Sequence, residues 1–287
     1  MTESYIDVVH HEDFSRVYNL DDPRSYFRAL RPLGYAAPTV MASFIDAYSL
    51  TIRAACDTSR LRILDFACGY GPIGALLDHH LTLAELYERF DGDDPANSDA
   101  DFFEQRRKHR DDVHVIGLDI ADRAVHYALN TGLIHDGYSD DLAAGPPSAE
   151  LAGQLRGIDI VIESGSITSV LPTCFARIID AAARPPWFIQ SPRGDTDPAE
   201  RFRMFAEHDY VVETATTVPL RYRRLMADEA DDVIAATRAI GHDPADHFDG
   251  DWFLVPIQIA RPRAEAIELP IEKLAWPPRP VASEFSR

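Results

Sequence analysis

One segment near residue 65 constrains the fold more than any other part of the chain, because an apolar run ends there in an acid and closely spaced glycines follow. Residues 62–66 have the composition of a buried strand, and residues 73–79 have that of a helix. The glycines between them, Gly69, Gly71 and Gly74, allow a sharp turn and a close approach of the backbone to a ligand. In a parallel sheet, ligands bind outside the carboxyl ends of the strands. The segment therefore predicts a ligand site where the first strand ends.

Glycines in this place occur in more than one nucleotide-binding fold. They satisfy the bare dinucleotide pattern G-x-G-x-x-G, but that pattern also requires an acid about 20 residues later, after a short second strand. Here the next clear strand ends only at Asp119. Asp65 lies four residues before the first glycine, and the dinucleotide pattern has no role for it. A nicotinamide or flavin enzyme and an unrelated strand–helix turn remain open as alternatives.

An acid at the end of a hydrophobic first strand, followed by a G-x-G turn, resembles motif I of the class I S-adenosylmethionine (SAM)-dependent methyltransferases. The likeness covers about residues 60–260, where predicted strands alternate with predicted helices. It implies an α/β fold with a seven-stranded, mostly parallel sheet, helices on both faces and a last strand inserted antiparallel. It also implies SAM as the cofactor.

The resemblance assigns cofactor-binding residues to four places in the chain. They are Asp65, Ala67, Cys68, Gly69, Tyr70 and Gly71 at the glycine turn, Asp119 and Ile120 after the second strand, Asp141 and Leu142 in a later loop, and Glu163 and Ser164 after a further strand. Asp119 is expected to accept the ribose hydroxyls through charge-strengthened hydrogen bonds, and Ile120 to pack on the adenine ring. The alternatives are a helix-capping role for Asp119 and an ordinary acidic surface loop at Asp141.

Candidate catalytic residues are Glu163, Ser164 and Tyr26. In the family, the corner after the strand that ends at Glu163 lies beside the transferable methyl group, where side chains and carbonyls orient a nucleophile. Tyrosines of the N-terminal region are expected to cradle the sulfonium through their ring faces. A buried acid that only holds the glycine-containing corner, and ordinary aromatic core packing, are the corresponding structural alternatives.

Candidate substrate contacts are Tyr18, Arg24 and Tyr35 in the N-terminal region and Arg223 in the basic run 221–224. Arginines in that run suit an acidic substrate, but they could equally neutralise the acidic stretch that follows at 228–232. Histidine pairs at residues 10–11 and 79–80 lack the partner spacing of a metal site. No metal is therefore assigned.

The predicted organisation has three parts. They are a helical cap (1–58), a Rossmann-like SAM-binding domain (59–262, with an insertion at 81–112) and a C-terminal tail (263–287). The insertion moves the second strand downstream. The tail is rich in proline and is expected to be extended.

Composition narrows the possible partners and the compartment. The formal net charge of −19 and the pI near 4.8 argue against a nucleic-acid-binding surface, which needs clustered Lys and Arg. The densest basic run, residues 106–110, is flanked by acids and is predicted to form a solvated, salt-bridged face of a helix. The N-terminus lacks the features of a signal peptide, and no apolar run approaches the about 20 residues of a transmembrane helix. Because the three cysteines lack metal or disulfide spacing, we expect reduced thiols in a cytoplasmic protein.

Motif I does not identify the acceptor, because function is set by the site and not by the fold. The chain lacks the Asp/Asn-Pro-Pro-Tyr sequence of enzymes that methylate nucleic-acid bases, so we expect a methyltransferase acting on a small molecule. The alternative is a cyclase of the same fold that closes the aminobutyrate chain of SAM and releases methylthioadenosine, as azetidine-2-carboxylate synthases do. A non-enzymatic SAM-binding partner protein is a third hypothesis. The sequence does not predict the oligomeric state.

Overall fold

The structure is a computed structural model that describes residues 17–92, 99–165, 170–216, 218–226 and 229–274. Within these ranges the strands are β1 (Leu61–Phe66), β2 (Val113–Leu118), β3 (Asp136–Tyr138), β4 (Ile160–Glu163), β5 (Trp187–Gln190), β6 (Tyr210–Thr214), β7 (Leu220–Arg224), β8 (Phe248–Asp249), β9 (Trp252–Val255) and β10 (Gln258–Pro262). The α-helices are α1 (Arg24–Leu30), α2 (Ala37–Cys56), α3 (Pro72–Asp78), α4 (Leu83–Asp91), α5 (Asp99–Glu104), α6 (Asp122–Asn130), α7 (Ala149–Leu155), α8 (Leu171–Ala181), α9 (Ala199–Glu207), α10 (Ala230–Ala239) and α11 (Arg263–Glu268).

A seven-stranded sheet in the order β3-β2-β1-β4-β5-β10-β6 forms the centre of the fold. β1 pairs in parallel with β2 on one side and with β4 on the other. The sheet therefore extends in opposite directions from β1, which makes the carboxyl end of β1 a topological switch point, the usual ligand position in such sheets. β10 runs antiparallel between β5 and β6. The predicted α/β class and the antiparallel insertion of the last strand are confirmed.

Both faces of this sheet are covered, because successive residues of a strand point to opposite sides. In β1, Ile63 belongs to an apolar cluster with residues of α1, α2 and α3, whereas Leu64 belongs to a second cluster with residues of α7, α8 and α9. Both side chains are fully buried. A strand that is buried on two faces reads as a continuous apolar run, which explains why β1 and β2 were predicted almost to the residue.

A buried ionic network fixes α1 against the insertion. Asp99 has no exposed surface and accepts hydrogen bonds from Arg24 at 3.3 Å, Arg89 at 2.6 Å and the Tyr127 hydroxyl at 2.9 Å. Because a buried carboxylate is costly unless it is paired, these contacts tie α1 to α4 and α6. The division of the chain into cap, binding domain and tail stays a prediction.

The apolar run at 252–260 predicts one strand, but the structure has two strands there, in two sheets. β9 joins a small antiparallel sheet in the order β7-β9-β8, while β10 belongs to the large sheet. Pro256 lies between them, and its missing N–H interrupts a continuous ladder. The prediction was wrong here because the apolar run continues on both sides of the proline.

Other departures from the predictions are local. α5 ends at Glu104, so the basic run 106–110 lies in the turn after the helix and not on a helical face. The tail was predicted to be extended, but it begins with α11 and a 3-10 turn (Ile271–Leu274), because Ala264 and its neighbours favour a helix. β3 and α7 were not predicted.

Several stretches covered by the predictions lie outside the described residues. They are the start of the cap with the histidines at 10–11 (1–16), part of the insertion (93–98), residues 166–169, 217 and 227–228, and the end of the tail (275–287). Within the described ranges, no helix has both the length and the apolar character that crossing a bilayer requires.

Candidate functional site

The chain leaves β1 through a turn whose backbone takes left-handed conformations. The φ angle is +59° at Ala67, +51° at Gly69 and +73° at Gly71, and α3 follows directly. A side chain on Gly71 would lie 3.1 and 3.2 Å from the Cβ atoms of Ala128 and Leu133, so the turn packs closely on the end of α6. At Ala67 the left-handed conformation costs about 1 kcal/mol, and such strain persists only where the surroundings fix the backbone.

Two further residues of the turn point into the protein. Cys68 is buried, and burial together with the charges of Asp65 and Asp119 raises the pKa of its thiol, so the sulfur stays neutral. Tyr70 is fully buried, and its hydroxyl accepts from the Leu20 N–H at 2.8 Å and donates to the Leu20 carbonyl at 3.0 Å. The turn is therefore tied directly to the N-terminal region.

Three acidic side chains meet at the ends of β1, β2 and β4: Asp65, Asp119 and Glu163, all of them buried. Burial raises the pKa of the Asp65 carboxyl well above its usual range, and the neighbouring charges of Asp119 and Glu163 raise it further. The Oδ2 atom of Asp65 is buried and has no hydrogen-bond partner among the described residues. An unpartnered acid between two other acids favours a cationic ligand group.

Asp119 differs from Asp65, because both of its oxygens accept hydrogen bonds from the protein. Oδ1 accepts from the N–H of Ala121 at 2.9 Å, and Oδ2 accepts from the N–H of Gly69 at 2.8 Å. The Tyr18 hydroxyl also donates to Oδ2, at 2.7 Å. Asp119 is not the N-cap of α6, a position that Ala121 occupies. The carboxylate therefore joins the glycine turn to the N-terminal region.

Tyrosine rings fill the space above the acids at the end of β1. The ring centroid of Tyr26 lies 5.6 Å from that of Tyr18 and 5.2 Å from that of Tyr70. Burial raises the pKa of the Tyr26 phenol well above its usual range, so it stays protonated. This packing agrees with a cradle for a cation and equally with aromatic core packing.

A second pair of tyrosines holds the corner after β4. The hydroxyls of Tyr35 and Tyr222 both donate to the carbonyl of Ser164, at 3.1 and 3.3 Å. The two rings meet edge to face with centroids 5.4 Å apart. Gly165 has a φ of +133°, and a side chain there would overlap the Tyr222 hydroxyl. Tyr35 therefore lies at the predicted site, and Tyr222 is a residue that the sequence analysis did not assign to it.

A group of buried polar side chains lies beside this corner, at the end of β5. Glu163 is paired in register with Gln190, and its Oε1 accepts from the N–H of Gly165 at 2.6 Å, as expected for an acid that holds the corner. Gln190 is fully buried, and neither atom of its side-chain amide has a partner among the described residues. The buried hydroxyl of Ser191 likewise has none within those ranges. The sequence analysis missed both residues, because they end an apolar run without any motif of their own.

The two arginines predicted to contact substrate are each paired with acids. Arg24 donates to Asp22 at 2.9 Å and to Asp99. Arg223 donates through two nitrogens to Glu229, which is itself buried, in agreement with a basic run that neutralises the following acids. Asp228 of that stretch lies outside the described residues. Both guanidinium groups are already paired with acids of the protein. Their roles in substrate binding stay predictions.

The residues predicted to contact adenine have different surroundings. Ile120 is 68% exposed beside Asp119, so its side chain is accessible to a flat ring that would pack on it. Asp141 is exposed and accepts from the N–H of Ala143 at 2.9 Å, as in an ordinary surface turn. Leu142 is buried in the cluster of α7 and α8, so its side chain belongs to the core.

The crevice at the switch point is thus closed by side chains, chiefly by Tyr18, Tyr26 and Tyr70. A cavity of about 530 Å³ lies instead between α2 and α11. It is lined by Leu50, Thr51, Ala54, Ala55, Glu265, Glu268 and Leu269. A ligand of nucleoside size enters the switch point only if tyrosines move.

No protein-family model matches the sequence, and a search of curated proteins gives no match. Similar solved structures include a TehB-like SAM-dependent methyltransferase from Corynebacterium glutamicum, with 15% identity over 77% of this chain and 86% of that chain and a TM-score of 0.40. Magnesium protoporphyrin IX methyltransferase from Synechocystis, with bound SAM, has 12% identity over 77% of this chain and 79% of that chain and a TM-score of 0.37. The plantazolicin methyltransferase BpumL, in complex with S-adenosylhomocysteine (SAH), has 10% identity over 79% of this chain and 86% of that chain and a TM-score of 0.44.

At identities of 10–15%, these likenesses concern the fold alone and say nothing about a substrate. The fold assignment rests on the strand order of the large sheet, with β1 at the switch point and an antiparallel strand between β5 and β6. The chain therefore has an α/β fold with the seven-stranded, mostly parallel sheet and the antiparallel inserted strand that its resemblance to the class I SAM-dependent methyltransferases implied.

Proposed function

We propose that the protein transfers the methyl group of SAM to a small molecule. The observation that supports this most strongly is the buried carboxyl of Asp65, whose Oδ2 has no partner among the described residues. It lies at the switch point, directly before the glycine turn and between two further acids. SAM carries an ammonium and a sulfonium, and a site rich in carboxylates and tyrosine faces suits a ligand with these two charges.

The residues that would hold SAM follow from these surroundings. Asp65 would pair with the ammonium group, and Asp119 would accept the ribose hydroxyls in place of the Tyr18 hydroxyl. The exposed side chain of Ile120 would pack on the adenine ring. Asp141 and Leu142, by contrast, have roles in a surface turn and in the core, so we give them no part in binding.

SAM supplies a methyl group that its positive sulfur already activates. The chain must chiefly align the acceptor with the methyl group. Correct orientation can lower the barrier of a displacement by about 7–11 kcal/mol. The carbonyl of Ser164 already accepts from Tyr35 and Tyr222, and these two hydrogen bonds would hold the corner rigid beside the acceptor. Glu163 would take a proton only where the acceptor must lose one. Tyr26 would act as a donor or through its ring face, because its phenol stays protonated.

A small acceptor agrees better with the surface than a nucleic acid does. The net charge of −19 would repel a phosphate backbone, and the arginine pairs at the site are neutralised by buried acids. The acceptor class beyond this is not part of the proposal.

Calorimetric titration with SAH tests the binding step. Wild-type protein is expected to bind, and Asp65→Ala to bind at least about tenfold more weakly, because a charge-assisted contact is lost. Asp159→Asn is a matched control, since Asp159 is a partly buried acid at the amino end of β4 that accepts from the Arg62 N–H at 2.8 Å. If wild-type protein does not bind SAH, the proposed function is wrong.

Product analysis by mass spectrometry tests the reaction. The protein is incubated with SAM alone and then with small phenols, amines and carboxylic acids. SAH that forms only with an added acceptor supports methyl transfer. Methylthioadenosine formed from SAM alone would instead show the cyclase reaction, and binding without either product would show a SAM-binding protein that is not an enzyme. Among the described residues we find no contact that favours the cyclase reaction, so it remains an outcome of this assay.

A further inference from the structure

The N-terminal segment 18–22, which we call the strap, lies across the predicted ribose position. The Tyr18 hydroxyl donates to Asp119 Oδ2 at 2.7 Å, the same oxygen that accepts from the Gly69 N–H. It also lies 2.8 Å from the position that a side chain on Gly69 would occupy. The tyrosine hydroxyl thus takes the place, over the glycine turn and on the acid, that a ribose hydroxyl needs.

The Tyr18 hydroxyl stays protonated in this position and can therefore donate to Asp119. Burial raises the pKa of the Tyr18 phenol well above its usual range, and the charge of Asp119 raises it further. Its ring packs edge-on against Tyr26 and Tyr70, with centroids 5.6 and 6.1 Å apart. The free protein therefore satisfies Asp119 with its own hydroxyl group rather than leaving the acid exposed.

The rest of the strap is held by exposed hydrogen bonds of Asn19 and by partly buried hydrogen bonds of Leu20 and Asp22. Asn19 donates to Asp122 at 3.1 Å and accepts from the N–H of Arg123 at 2.8 Å, and both contacts are exposed. Leu20 exchanges two hydrogen bonds with the Tyr70 hydroxyl. In contrast, α1 begins only two residues after the strap and is fixed by the buried network around Asp99. Residues 18–20 of the strap can therefore leave while α1 stays in place, because Asp22 keeps its contact with Arg24.

We propose that the strap is a built-in competitor for the nucleoside: the Tyr18 hydroxyl holds Asp119 in the free protein and leaves it when a ribose diol binds. This inference rests on the proposed function, since the diol is that of SAM or SAH. The apparent Kd for either ligand is then the intrinsic Kd divided by the fraction of molecules in which the strap is open.

Substitutions in the strap test this directly by calorimetric titration with SAH. Tyr18→Phe keeps the ring and removes the hydroxyl, so the Kd is expected to fall about tenfold to a hundredfold, the range for one hydrogen bond to a charged group. Asn19→Gly removes both surface contacts of Asn19, and glycine tolerates its φ of +60°; the Kd is expected to fall about threefold to tenfold. This second variant alters only an exposed residue, so the test stands even if Tyr18→Phe folds poorly.

The matched control is Tyr210→Phe. Tyr210 is also a buried tyrosine whose hydroxyl donates one hydrogen bond, to the Pro186 carbonyl at 2.8 Å, but it lies on edge strand β6. Its substitution should leave the Kd for SAH unchanged. If Tyr18→Phe binds SAH as wild-type protein does, or more weakly, the strap is no competitor and the inference fails while the proposed function stands. If none of the four proteins binds SAH, the proposed function fails and the inference fails with it.

Discussion

Asp119 and Gln190 both lie at the carboxyl ends of the parallel strands, on either side of the end of β1. The two side chains differ in whether their polar atoms have hydrogen-bond partners. The two oxygens of Asp119 accept from Tyr18, Gly69 and Ala121. The side-chain amide of Gln190 has no partner among the described residues, although the side chain is fully buried. At the Asp119 end of the crevice the protein itself supplies the hydrogen-bond partners, whereas the amide at the Gln190 end has none among the described residues.

The difference has an energetic consequence. A ligand that uses Asp119 must displace a hydrogen bond that the protein already has, so its net gain is the difference between two similar contacts. A group that reaches Gln190 adds hydrogen bonds where none exist, and a buried unsatisfied amide costs about 1–3 kcal/mol. We infer that the contacts at Asp119 limit the affinity for the cofactor. We also infer that the side-chain amide of Gln190 increases the affinity for an acceptor with polar groups.

The largest expected effect is at Asp119. Asp119→Asn keeps the shape of the side chain and removes its charge, so the ribose hydroxyls lose two charge-assisted hydrogen bonds. We expect the Kd for SAH to rise about tenfold to a hundredfold, because two ribose contacts weaken while only one competing contact, that of Tyr18, weakens with them. Asp232→Asn, an exposed acid in α10, is the control and should stay within about threefold, in the range of a weak surface contact. An unchanged affinity in Asp119→Asn would break the comparison, because Asp119 would then only hold the glycine turn.

Much of the fold could be predicted because its central strands are buried on both faces. The apolar runs of β1 and β2 are unambiguous, and each ends next to an acid that the structure places at the site. β3 has only three residues, all half-buried, so it has neither an apolar run nor a clear alternation. β7 alternates Leu220 and Tyr222, which are buried, with an exposed Arg221, but its three arginines read as a charged surface.

The site could be predicted only where a residue lies in a motif or next to one. Asp65 and Asp119 were found in this way. The partner of Arg24 is Asp99, which lies 75 residues away in the chain, so pairing between them is not visible in the sequence. Tyr222 could have been found from its period-two spacing with Leu220. Gln190 offered no signal, because a polar residue that ends a strand is normally exposed.

The pH dependence of stability should distinguish Asp65 from an ordinary acid. Its pKa is raised in the folded protein, so its protonated form contributes stability below about pH 4 that is lost as the pH rises towards the folded pKa. Asp65→Asn should therefore match wild-type protein near pH 4 and be more stable by about 1–3 kcal/mol at pH 8, the range for a buried unsatisfied group. Denaturant unfolding at both pH values measures this, with the exposed Asp141→Asn as control. Equal stability at pH 8 would mean that Asp65 is paired, like Asp119.

A smaller effect is expected at the other end of the crevice. Gln190→Met replaces an unpartnered amide with an apolar side chain of similar length, so the free energy of unfolding should increase by about 1 kcal/mol. Gln258→Met on the neighbouring strand is the matched control, because Gln258 Oε1 accepts from Arg201 at 3.2 Å, and we expect it to be destabilised. Thermal unfolding of the two variants gives the answer. If Gln190→Met is destabilised as well, both ends of the crevice are equally satisfied, and the contrast with Asp119 disappears.

The smallest expected effect concerns the strained residue at the Asp119 end. Ala67 is exposed and has a φ of +59°, so Ala67→Gly removes strain without removing a packed methyl group. Glycine also gains entropy in the unfolded chain, and the two effects leave a net stabilisation of about 0.5 kcal/mol or less. Ala236→Gly, at an exposed position within helix α10, loses helix propensity instead and should be destabilised by about 1 kcal/mol. If Ala67→Gly also binds SAH more weakly, the strained backbone at Ala67 is what holds the Gly69 N–H against Asp119. The hydrogen bonding of Asp119 then depends on the glycine turn as well as on the strap.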